Sequence, residues 1–132
     1  MARPYLGGSS AGIKTLDATQ TLSLADSGKT FICSQSSAVS ITLPSASSAK
    51  GWEGHFILGT AASNAFSIYC NPTDIMFGVS VAENGTNIDG ADVVQFASGA
   101  ATVGDQIYIV CDGAKYYVHG VCTDDAHIVS GG

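Results

Sequence analysis

From Thr21 onward apolar and polar positions alternate with period two, and Gly, Pro, Asn or Asp interrupt the alternation about every ten residues, which predicts an all-β domain. Val39, Ile41 and Leu43 alternate with Ser40 and Thr42, so three apolar side chains share one face of a strand that Pro44 ends. The same pattern predicts strands over Thr30–Ser34, Gly54–Gly59, Ala65–Cys70, Ile75–Val81, Asp92–Ala97, Gln106–Cys111 and Lys115–Cys122. About eight strands in one chain of this length predict an antiparallel β-sandwich or a jelly-roll-like barrel.

The interruptions have hairpin chemistry: Asp26-Ser27-Gly28-Lys29, Asn71-Pro72-Thr73-Asp74, Glu83-Asn84-Gly85-Thr86 and Asp112-Gly113-Ala114-Lys115. Asp112-Gly113, between two strongly alternating runs, is the clearest of them. Ala46–Lys50 is long enough for one helical turn before Gly51, and no stretch has the three-four spacing of an amphipathic helix. No internal repeat is visible.

Residues 1–12 follow neither period. Arg3, Pro4, Tyr5 and Leu6 form a cluster of anchors, followed by the pliable run Gly7-Gly8-Ser9-Ser10-Ala11-Gly12, ahead of a single domain over 13–132. This segment reads either as an arm that grips a partner or as a frayed terminus.

Charge removes several functions. The 132 residues are only 12% charged, with a net charge of −6, and the five cations Arg3, Lys14, Lys29, Lys50 and Lys115 are scattered. Nucleic-acid binding needs clustered cations, so nucleic acid is not an expected partner. No apolar run reaches the length of a membrane span and no apolar leader follows Met1, so the expectation is a chain made in the cytoplasm that stays off membranes.

Candidate chemistry is sparse. Cys33, Cys70 and Cys111 each end an apolar run, no cysteine pair has C-x-x-C spacing, and His55, His119 and His127 are not at ligand spacing from the thiols. They read as reduced core cysteines, with Cys122 at the end of the last predicted strand. Gly-x-Ser-x-Gly is absent and the glycine-rich run near the N-terminus lacks a phosphate-loop lysine, so no enzyme, cofactor or metal is expected. Trp52, Tyr69, Tyr108 and Tyr117 are candidates for an oligomer interface, because aromatics on an outward strand face are rich contact surfaces. A second core layer accounts for them equally well.

Four segments add a family likeness: Leu24-Ala25-Asp26-Ser27-Gly28-Lys29-Thr30-Phe31, Ile41-Thr42-Leu43-Pro44-Ser45-Ala46, Gly104-Asp105-Gln106-Ile107 and Asp112-Gly113-Ala114-Lys115-Tyr116-Tyr117-Val118. Over about Thr21 to Gly120 the chain resembles the small head decoration, or cement, proteins of tailed bacteriophages. That resemblance implies a non-enzymatic virion protein on the outer surface of the capsid, bound to the major capsid protein and commonly a homotrimer. Within it, the arm residues Arg3, Pro4, Tyr5 and Leu6 become the expected capsid-binding anchors. The same hairpin signatures occur in phage tail and fibre modules, so the rival expectation is a β-rich tail spike or fibre module that binds a host receptor or glycan.

Overall fold

The computed structural model describes residues 12–81 and 86–131. It contains twelve strands: β1 (Ile13–Leu16), β2 (Gln20–Thr21), β3 (Thr30–Cys33), β4 (Val39–Thr42), β5 (Glu53–Leu58), β6 (Phe66–Tyr69), β7 (Met76–Val81), β8 (Thr86–Ala91), β9 (Val93–Phe96), β10 (Gln106–Cys111), β11 (Tyr116–Val121) and β12 (Ile128–Gly131). The protein is all-β. Each of the eight segments read from the alternation overlaps a strand, and β1, β2, β8 and β12 are additional.

The pairing departs from the antiparallel expectation. One sheet has seven strands in the order β1-β3-β5-β10-β11-β7-β8, the other five in the order β12-β9-β6-β4-β2. Through β6 the chain alternates between them, placing β1, β3 and β5 in the first sheet and β2, β4 and β6 in the second. A strand therefore returns to its own sheet only after a full circuit, and β1 with β3, β3 with β5, β2 with β4 and β4 with β6 all pair in parallel. The turn chemistry at Asp26–Lys29 and Asn71–Asp74 consequently makes corners between sheets rather than hairpins. Asp112–Lys115 does close the antiparallel β10–β11 hairpin: Gly113 has φ 98°, and Asp112 Oδ1 accepts the Ala114 and Lys115 N–H groups at 2.8 Å each. Those two donors, the Lys115 N–H foremost, hold the Asp112 carboxyl below the usual carboxylate range.

Stacked circuits align like side chains, as in Leu16, Cys33 and Leu58 or Ile41 and Ile68. The corners differ in length and content, and the one before β5 contains a one-turn helix, Ala46–Ser48, so the stacking leaves no repeat in the sequence. Both sheets close on one hydrophobic core. Phe31 stacks on Phe56 at 4.8 Å and on Trp52 at 6.4 Å, and Tyr116 meets Trp52 edge-on. Gly54 makes this cluster possible, since a Cβ there would lie 3.0–3.1 Å from atoms of Trp52, Phe31 and Phe56.

Buried polar groups pin the corners. Asp74 Oδ2 accepts the Ala46 N–H at 2.9 Å, the Tyr116 hydroxyl donates to the Pro44 carbonyl, and Asp105 pairs with His127 at 2.9 Å. Asp26 accepts the Ser23 N–H and pairs with Lys29 and Lys14 at 3.1 and 3.4 Å. Burial pushes its carboxyl up, but these partners outweigh burial and the net displacement is downward.

Gly12 already belongs to the fold, since its carbonyl accepts the Thr30 N–H at 2.8 Å. The rest of the expected arm, with Arg3, Pro4, Tyr5 and Leu6, lies outside the described residues.

Cys33, Cys70 and Cys111 are buried and Cys122 is half-buried. Burial pushes the Cys33 thiol well up and, with Asp74 and Asp92 nearby, raises Cys70 to about 11. Because the thiolate is the reactive form, a thiol reagent applied to the native protein should label Cys122 first and the other three only on unfolding. Mass mapping of the labelled peptides checks this order; early labelling of Cys33 would mean that β3 presents its other face.

Candidate interaction surface

The outward face of the seven-stranded sheet draws attention through β10, Gln106-Ile107-Tyr108-Ile109-Val110-Cys111, which is apolar or aromatic in both phases after its first residue. Strands of this kind are normally covered on both sides. Here Ile107, Ile109 and Cys111 enter the core, while Tyr108 and Val110 face outward uncovered. Their neighbours continue the pattern, with Tyr117 and Val121 on β11 and Val79 and Val81 on β7. These six side chains are 41–49% exposed and lie on three adjacent strands.

Register fixes how they meet. Tyr108 stands opposite His55 on one side and His119 on the other, and its ring stacks on His55 at 4.0 Å and lies 6.1 Å from His119. His55 Nε2 lies 2.7 Å from Gln106 Oε1, which also accepts the Tyr108 hydroxyl at 3.1 Å. One row along, the short Val110 lies between Glu53 and Tyr117. Tall side chains around a short one produce a groove of about 500 Å³ over Val110, walled by Glu53, His55, Tyr108, Tyr117 and His119. The Tyr117 hydroxyl donates to Asp112 Oδ2 at 3.1 Å, and retaining that proton beside the carboxylate raises its pKa.

The candidates read from the sequence separate here. Tyr108 and Tyr117 come together on this face, while Tyr69, 39% exposed, belongs to β6 in the other sheet. Trp52 is no surface residue. It is 2% exposed, stacked in the core, and its Nε1 donates to the Ser23 carbonyl at 3.1 Å. The reason is phase, since Trp52, Gly54, Phe56 and Leu58 are alternate positions and all four are buried.

No family model, curated protein or solved structure matches this chain. The surface must therefore be interpreted from its own residues. Val79, Val81, Val110 and Val121 read from the sequence as ordinary strand residues; the second apolar phase of β10 is a signal for Val110 alone. Among the described residues no group of three or more His, Cys, Asp and Glu side chains is placed to hold a metal ion, and no helix is long and apolar enough to cross a membrane.

Proposed function

We propose that this chain is a non-enzymatic virion structural protein that binds the outer surface of a phage capsid and stabilises it by bridging neighbouring major capsid subunits. The observation that carries this reading is the uncovered apolar and aromatic face of the seven-stranded sheet, a surface typical of a protein that works inside an assembly. A sandwich-like scaffold supports the role, because two sheets pinned to one core hold such a face rigid. The likeness to head decoration proteins supplies the location, with synthesis in the host cytoplasm, a homotrimeric state, and Arg3, Pro4, Tyr5 and Leu6 as capsid anchors.

The test is to add the purified protein to capsids that lack it, sediment them, and image the particles. The expected result is stoichiometric co-sedimentation and density on the outer capsid surface, with affinity at least tenfold weaker for a chain without residues 1–11. No co-sedimentation would remove the head assignment.

The groove over Val110 favours one rival, a tail module that binds host glycan, because its volume lies within the range of small-ligand sites. Density on tail fibres instead of heads, together with binding to host cells, would support that alternative.

A further inference from the structure

Deepening the assembly reading above, we infer that the outward face of the seven-stranded sheet is the surface through which copies of this chain meet one another. Size is the first argument. Six large apolar or aromatic side chains, each nearly half exposed, amount to on the order of 500 Å² of contiguous surface, at the upper end of what isolated monomers show. The half-buried Ile32, Ile57 and Phe77 extend the same face towards the roughly 800 Å² per partner of a stable interface.

Charge bears on the occupant. A chain of net charge −6 repels its own copies wherever acidic side chains dominate the surface. On this face Glu53 and Asp89 are accompanied by Lys29, itself paired with Asp26, at one border and by Lys115 at the other, where its ammonium lies over the Phe77 ring at 5.3 Å. Asp112, at the rim, adds a third carboxylate, hydrogen-bonded by its own backbone donors. Asp17, Asp92 and Asp124 lie in connections outside the face. Cations and carboxylates are therefore both present on this face for two copies to match, whereas the outward phase of the five-stranded sheet carries no charged side chain among the described residues. The row His55, Tyr108, His119 adds rigid rings, which lose little entropy on contact.

Sedimentation velocity at micromolar concentration tests the inference. The wild-type chain should sediment as an oligomer. Val79→Glu and Tyr117→Glu, both at exposed positions, should weaken association about a hundredfold or more and give folded monomers that still melt cooperatively, at a lower temperature than the associated wild type. Tyr69→Glu, on the opposite sheet, should remain oligomeric. Hydroxyl-radical footprinting of the wild type needs no substitution: concentrating the protein should protect Tyr108 and Tyr117 but not Tyr69. A monomeric wild type, or an oligomer insensitive to both glutamates, overturns the inference. A monomeric wild type whose capsid binding is lost with Val79→Glu would instead assign this face to the capsid. If the wild type self-associates as expected but never binds capsids, the capsid reading falls and this one stands.

Discussion

Gly78→Ala should cost about 4 kcal/mol or more, which is a large share of the stability of a domain of this size. Gly78 pairs with Val118 in the parallel β7–β11 ladder, and a Cβ at residue 78 would lie 1.8 Å from the Val118 carbonyl oxygen and 2.7 Å from its carbon. These are backbone atoms of a strand held on both sides, by β10 and by β7, so neither can move aside without breaking a ladder. Gly28→Ala is the comparison: nothing lies within 4 Å of its Cβ, and the only strain is the φ of 84°, worth about 1 kcal/mol. Urea unfolding of both variants decides the matter. Equal losses would mean that β7 and β11 do not approach as closely as described.

Trp52→Ala should destabilise by about 3–5 kcal/mol, the range for deleting a large buried aromatic. The substitution removes the ring stacked on Phe31 and set edge-on to Tyr116, and leaves the Ser23 carbonyl without its indole donor. Tyr108→Ala, on the open face, should cost the isolated fold less than about 1 kcal/mol while weakening self-association. Native tryptophan emission should be blue-shifted and insensitive to protein concentration. Equal destabilisation by the two substitutions, or emission that follows oligomerisation, would place Trp52 back on the surface.

Which strands were legible follows from where they lie. The four that the alternation did not reveal, β1, β2, β8 and β12, are the four sheet edges. Edge strands pair on one side only and need few buried side chains: β1 buries only Leu16, and β12 only Ile128. Interior strands carry a full apolar phase, and it is those that the pattern exposes. The interaction surface was half legible for a related reason. Tyr108 and Tyr117 stood out by residue type, whereas the valines around them matter only once β7, β10 and β11 are side by side.

By itself the sequence determined what depends on neighbours along the chain. Period-two alternation placed the interior strands, Asp112-Gly113 closed its hairpin, and Cys33, Cys70 and Cys111 were assigned to the core because each ends an apolar run. Only the tertiary structure decided what depends on distant partners. A corner such as Asp26–Lys29 has the same turn chemistry whether the chain doubles back on its own sheet or crosses to the other. The choice is made by which circuit stacks Phe31 on Phe56 and Ile41 beside Ile68. Likewise, a strand that is apolar in both phases shows that two coverings are called for but not which phase meets the core, and that depends on the packing of the whole sheet around Trp52, Phe56 and Tyr116.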